Sequence, residues 1–135
     1  LKNPKLYLAY GANMHPGQMS RRCPDALASR AFILQDWQLK FYSHATIEPK
    51  PGSQTAGVLW TITPECEQSL DRFEGWPSYY TKRVWTQAGI EFFFYEMTDP
   101  KSGHPSAGYV QDIQDSYEFW RLPMALLQDS LHDFA

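Results

Sequence analysis

The run Lys5-Leu6-Tyr7-Leu8-Ala9, closed by Tyr10-Gly11-Ala12-Asn13, reads as an apolar strand that stops at a glycine and turns. Such a turn leaves backbone N–H groups pointing out of a sheet end, where an anionic oxygen can be bound. The plainer alternative is an ordinary strand-ending turn, with Asn in a left-handed conformation. After the turn, His15 to Arg22 with Pro16 at its first position predicts a short helix. Arg21-Arg22-Cys23-Pro24-Asp25 ends it, because a proline disfavours helical geometry in the residue before it.

Outward from this unit, two β-leaning runs, Ala28 to Leu34 and Trp37 to Tyr42, flank Gln35-Asp36, which suits a hairpin or a bend in one continuous ribbon. Ser43 to Gln54 is polar and holds Pro49, Pro51 and Gly52, the composition of a surface loop. Thr55 to Ile62 resembles a buried strand. Thr63-Pro64-Glu65 then opens a helix with a hydroxyl cap, a first-turn proline and an acid at the positive dipole end. That helix is expected to run to Glu74 and to stop at Gly75. Tyr79 to Gln87 and Ile90 to Met97 around Ala88-Gly89 predict a hairpin, and Thr98 to Pro105 a loop. Near-helical spacing of Tyr109, Ile113, Tyr117 and Trp120 predicts a helix from Ser106, and a last helix runs from Leu122 or Pro123 through Leu126, Leu127, Leu131 and Phe134. The sum is one α+β domain over residues 1–135, with five or six strands, three or four helices and no internal repeat.

A chain that is 43% hydrophobic, 16% aromatic and 20% charged is globular, with rings in its core or around a pocket. The net charge of −3, with Lys and Arg scattered, argues against nucleic acid as a partner. No apolar run reaches the ~20 residues of a membrane span, and the N-terminus lacks a signal pattern. Cys23 and Cys66 are the only cysteines, which indicates neither a disulfide framework nor a Cys-rich zinc site and favours a reducing cytoplasm.

His15, His44, His104 and His132 lack metal-ligand spacing. There is no G-x-S-x-G elbow, phosphate-binding lysine loop or dinucleotide fingerprint. What remains is acid chemistry. Glu74 lies four residues after Leu70 and beside Phe73, which turns it toward the apolar side of its helix. The negative helix end and desolvation by Phe73 or Trp76 would both raise its pKa, as suits a base that must later act as an acid. A solvated last-turn acid near Arg72 or Lys82 is the bland reading of the same position. Tyr80, Tyr95 and Tyr109, from three separate elements, could ring a pocket; each could equally be a core tyrosine.

Tyr10-Gly11-Ala12-Asn13, Leu34-Gln35-Asp36-Trp37-Gln38-Leu39, Gly57-Val58-Leu59-Trp60, Leu70-Asp71-Arg72-Phe73-Glu74-Gly75 with Tyr80 beyond, Pro105-Ser106-Ala107-Gly108-Tyr109 and Leu122-Pro123 occur in that order. This ordered set resembles the γ-glutamylcyclotransferase family, including its AIG2-like members. The resemblance implies a small mixed, partly closed barrel-like sheet with packed helices and a ligand cavity at one end. It implies a cofactor-independent enzyme, with no metal, that turns a γ-glutamyl amine or amino acid into 5-oxoproline and a free amine by intramolecular aminolysis. Glu74 matches the family's catalytic glutamate, and the N–H groups of Gly11, Ala12 and Asn13 match its substrate loop. Tyr10, Tyr80, Tyr95 and Tyr109 are expected as further substrate contacts. Ala12 stands where the family usually has Ser, so a hydroxyl is missing while the backbone donor is kept. Contacts to the leaving group are expected from Ser43 to Gln54 and Trp76 to Tyr79. A non-catalytic small-molecule binding or interaction module on the same fold is the competing expectation; it would place Glu74 in solvent, far from the Gly11 turn.

Overall fold

A computed structural model describes residues 3–132. Its strands are β1 (Lys5–Ala9), β2 (Leu27–Phe41), β3 (Ala45–Ile62), β4 (Tyr80–Gln87) and β5 (Ile90–Met97). Its helices are α1 (Pro16–Arg22), α2 (Pro64–Glu74), α3 (Ala107–Phe119) and α4 (Met124–Leu131), with a single 3₁₀ turn over Ala12–Met14. The strands form one sheet in the order β2-β3-β1-β5-β4. Every pairing is antiparallel except that of β1 with β5, which is parallel at Tyr7↔Phe93. The short first strand is thus central, and its end opens where the two long hairpins diverge.

The sheet curls until its outer strands approach each other. Gln87, at the end of β4, accepts from Gln35 N at 2.8 Å and donates to Ile33 O at 2.9 Å, so one side-chain amide spans the seam as a peptide group would. Ring pairs fill the space behind it: Phe32 with Phe92 at 5.2 Å, and Trp37 with Trp85 at 5.3 Å and Phe94 at 5.0 Å. This is the partly closed barrel of the expected α+β fold. Gly57 is required at the β1–β3 contact, because a Cβ there would sit 2.7 Å from the Ala9 carbonyl oxygen.

The helix ends follow from their sequence. Thr63 Oγ1 accepts from Cys66 N at 3.2 Å, and Gly75 takes the left-handed conformation at φ 67°, stopping α2 directly after Glu74. Ser106 caps α3 in the same way. At α1 the cap is His15, whose Nδ1 accepts from Gly17 N at 3.1 Å. The 80–97 hairpin and the bend at Gln35-Asp36 both form. Of the two readings of that bend, the continuous ribbon holds, with a register shift there and Asp36 at φ 68°.

Two expectations are corrected. Ser43 to Gln54 is not a surface loop, since β3 begins at Ala45 and pairs with β2 from Phe41↔Ala45 to Trp37↔Pro49. The prolines and Gly52 are accommodated in an exposed bulge between Pro49 and Gln54, where ladder hydrogen bonds are not needed, while Ala45, Thr46 and Ile47 are buried. Cys23 and Cys66 are bonded to each other across 43 positions of sequence. Two cysteines in a chain carry no pairing signal of their own; the crossing of α1 on α2 makes the pair, and cysteine usage therefore lends no support to a reducing compartment. Among the described residues, no helix is long and apolar enough to cross a membrane. Phe134, expected in the last helix, lies outside the described residues.

Candidate active site

A cavity of about 170 Å³ opens at the end of β1. Tyr10, Gly11, Ala12 and Asn13 line one wall, Glu74 enters from the last turn of α2, and Tyr80, Tyr95 and Tyr109 arrive from β4, β5 and α3. All eight residues singled out from the sequence therefore meet in one place. Tyr7, His44, Ala45, Phe73 and Tyr79 complete the lining. Phe73 sits in the quoted motif beside Glu74, and His44 and Tyr79 lie in the two stretches expected to meet the leaving group. Tyr7 had no signal, being one apolar strand residue among five; its partner Asn13 reveals it.

The turn has the expected donors in a different backbone form. Asn13 is in the 3₁₀ turn rather than left-handed, with Met14 N donating to Gly11 O and His15 N to Ala12 O, each at 3.1 Å. Among the described residues, the N–H groups of Gly11, Ala12 and Asn13 donate to no backbone or side-chain acceptor. Gly11 also needs its small size, since a Cβ would lie 3.3 Å from the Tyr109 hydroxyl.

Asn13 is 2% exposed, and its amide nitrogen donates to Tyr7 OH at 3.2 Å and to Glu74 Oε1 at 3.4 Å. Both amide protons are thereby used. Its Oδ1 is buried with no partner, an acceptor left open beside the acid. Glu74 itself is half-buried, and burial pushes its carboxyl up to about 7, against the nearby positive charge of Arg22. The bland alternative lacks its partners: Lys82 is taken by Glu67 at 2.7 Å and Asp71 at 3.0 Å, and among the described residues no ion pair joins Glu74 to Arg72. The desolvating wall is also not Trp76, which instead stacks on Lys82 with its ring centre 4.3 Å from Nζ. Tyrosines and Phe73 do that work.

The tyrosines divide into two kinds. Tyr10, Tyr80 and Tyr95 spend their protons inside the protein, on Tyr95 O, Ala45 O and Asp71 Oδ1 at 2.5, 2.5 and 2.6 Å. Tyr7 and Tyr109 act as acceptors, from Asn13 Nδ2 and from Ala45 N at 3.0 Å, so each keeps a hydroxyl proton for another group. Burial raises all five hydroxyl pKa values, which keeps these phenols neutral beside Glu74. At the mouth, His44 Nδ1 meets Tyr79 OH at 2.9 Å.

His15, Asp112 and Asp115 bring ligand atoms within 4.8 Å of one another. With Nδ1 of His15 committed as the helix cap, the neutral ring carries its proton on Nε2. The ring is then suited to donate to an aspartate rather than to ligate a cation.

Residues 7–119 match the family described as gamma-glutamyl cyclotransferase, AIG2-like. Gamma-glutamylcyclotransferases of Bos taurus and Homo sapiens are 34% and 33% identical, each alignment covering 80% of this chain and 67% of the relative. A solved gamma-glutamyl cyclotransferase superposes with a TM-score of 0.84 at 29% identity, over 95% of this chain and 86% of that one. YkqA from Bacillus subtilis, at 21% identity and a TM-score of 0.75, shares the fold over 97% of this chain and 54% of its own.

Proposed function

We propose that this chain, which belongs to the γ-glutamyl cyclotransferase, AIG2-like family, releases 5-oxoproline from a γ-glutamyl amine or γ-glutamyl amino acid with Glu74 as general base and acid. One observation carries this reading: a carboxyl with a pKa near neutrality sits 3.4 Å from Asn13, within the same small cavity as the unpaired N–H groups of the 11–13 turn.

The substrate's α-ammonium is placed between Glu74 and the open Oδ1 of Asn13, and Glu74 takes one of its protons. The freed amine nitrogen bonds to the γ-carbonyl carbon of the same glutamyl group, closing a five-membered ring. Charge develops on the γ-oxygen, where the N–H groups of residues 11–13 can each supply about 3–4 kcal/mol of stabilisation if well aimed. Glu74 returns its proton to the leaving nitrogen as the old amide C–N bond breaks. The ring nitrogen, left with two protons after its attack, gives one back to the Glu74 carboxylate, which passes it to the released amine; the atoms then balance without water, and a carboxyl poised near pH 7 serves each transfer. Holding the substrate folded on itself adds an orientation advantage. Tyr7 and Tyr109 offer their uncommitted protons to substrate oxygens. Ala12 contributes its backbone N–H alone.

The competing reading, a non-catalytic module, placed Glu74 in solvent away from the Gly11 turn; the acid beside that turn counts against it. The test incubates the protein and a Glu74→Gln variant with a panel of γ-glutamyl amines and γ-glutamyl amino acids and assays 5-oxoproline. Product from the intact protein and a loss of roughly 10²–10⁴-fold in the variant are expected. Equal rates would remove Glu74 from the mechanism, and no product from any compound would sink the activity for that panel.

A further inference from the structure

Arg22, the last residue of α1, has no part in the chemistry described above. Its guanidinium carbon lies over the Phe73 ring, 3.5 Å from the ring centre, so the end of α1 presses on the residue next to Glu74. Nη2 donates to Gln18 Oε1 at 3.3 Å, while Nε is buried with no partner. Among the described residues, Arg22 makes no ion pair within 4 Å, with Glu74 or any other acid.

The following residue is Cys23, bonded to Cys66 in the first turn of α2, and both are buried. Two ties therefore hold α1 against α2: the disulfide at the start of α2 and the Arg22–Phe73 stack at its end. The opposite end of α1 begins at His15, directly after the 3₁₀ turn that carries Asn13. Helix α1 is thus the strut between the two halves of the site.

The electrostatic surroundings of Glu74 make the strut's charge count. Among the described residues, the titratable groups around Glu74 are Tyr7 from β1, Tyr10 at the turn, Tyr80 from β4, Tyr95 from β5, Tyr109 from α3, His44 and Tyr79 at the mouth, and Arg22 from α1. Five are phenols kept neutral by burial, and His44 and Tyr79 are paired with each other. Arg22 is the positive charge whose field reaches the Glu74 carboxyl.

Resting on the reading of Glu74 as acid and base, we infer that Arg22 is a positioning residue: stacked on Phe73 and anchored by the Cys23–Cys66 bond, it fixes the last turn of α2 against the Asn13 turn and places a positive charge near the Glu74 carboxylate. A flat, delocalised cation suits this task better than an ammonium, because it can lie on a ring and still project its charge sideways.

The experiment titrates the Glu74 carboxyl directly, by carbon NMR of side-chain-labelled protein without substrate, in the intact protein and in Arg22→Gln and Arg22→Lys variants. The pH profile of kcat/KM is measured alongside. Arg22→Gln raises the titration midpoint by roughly one pH unit, and the acid limb of the profile moves with it, a tenfold loss below the limb. Arg22→Lys keeps the charge but not the stack, and moves the midpoint in the same direction by about half as much. Either folded variant decides the matter. An unmoved midpoint in a variant with an unaltered near-ultraviolet circular dichroism spectrum overturns the inference. Since the titration needs no turnover, a shifted midpoint in a protein that makes no 5-oxoproline would sink the proposed reaction and leave the role of Arg22 standing.

Discussion

Replacing Glu74 by Gln is expected to stabilise the protein, and only above a particular pH. The Glu74 carboxyl is raised from an ordinary value of 4.5 to about 7 because burial penalises its charged form. Below pH 4.5 it is protonated folded and unfolded, and contributes no difference. Between 4.5 and about 7 the folded state holds a proton that the unfolded state has released, so stability falls as pH rises through that window and levels off above it. At 1.36 kcal/mol per pH unit, the full cost above pH 7 is up to about 3 kcal/mol. Gln keeps the acceptor that Asn13 Nδ2 meets at 3.4 Å and nearly the same volume, so the variant loses the charge and little else. Urea denaturation of both proteins at about pH 4 and about pH 8.5 measures the effect. The two curves should coincide at the lower pH, and the variant should be the more stable by up to about 3 kcal/mol at the higher one. A variant that is less stable than the intact protein at about pH 8.5, or a difference independent of pH, would refute the claim that the fold strains to keep this carboxylate ionised. The expectation also separates function from folding: a side chain that weakens the fold above neutral pH is retained for another reason.

Tyr109→Phe removes the acceptor for Ala45 N and leaves a buried donor unpaired, which should cost about 1–3 kcal/mol in urea denaturation. It should also lower kcat/KM, because the uncommitted hydroxyl proton goes with it. Gly57→Ala places a methyl 2.7 Å from Ala9 O in the central strand pair, and the strand shift it forces should cost about 1–3 kcal/mol, read from the melting temperature. Gln87→Ala opens the barrel seam; hydrogen exchange at Gln35 N should speed up while the stability loss stays near 1 kcal/mol, since the site is on the surface.

Much of the site was legible because its parts are set by local rules. Gly75 stops α2, so the preceding residue is the last helical one. Leu70 four positions earlier fixes the side on which Glu74 projects, and the glycine closing β1 marks the sheet end. Each fact needs only a few neighbouring residues. What stayed hidden depends on contacts between distant segments. The 43–54 stretch carries the composition of a loop, and only pairing with β2 makes Ala45, Thr46 and Ile47 a buried strand, which brings Ala45 and the preceding His44 to the cavity. The Cys23–Cys66 bond requires the crossing of α1 on α2. Helix α2 supplied a candidate acid from sequence alone, but sequence could not choose between Phe73 and Trp76 as its desolvating ring, since Trp76 is equally close in the chain and turned onto Lys82 in space.

The same distinction explains how an acid and a donor loop 61 positions apart come to share one carboxylate geometry. Strand β1 is central and pairs on both sides, so the turn that follows it has little freedom. The acid has no comparable sheet contact, for it sits on the final turn of a helix whose neighbouring residue Phe73 is exposed. Left to its own packing, that turn is the mobile partner of the pair, and fraying by one residue would carry the carboxyl out of reach of Asn13. The Schellman-type stop at Gly75, the Arg22 stack on Phe73 and the bond of Cys66 to Cys23 all act on this one helix. A rigid donor turn with a separately braced acid is what a base-then-acid cycle needs, since the same oxygen must meet two different nitrogens without letting water fill the gap.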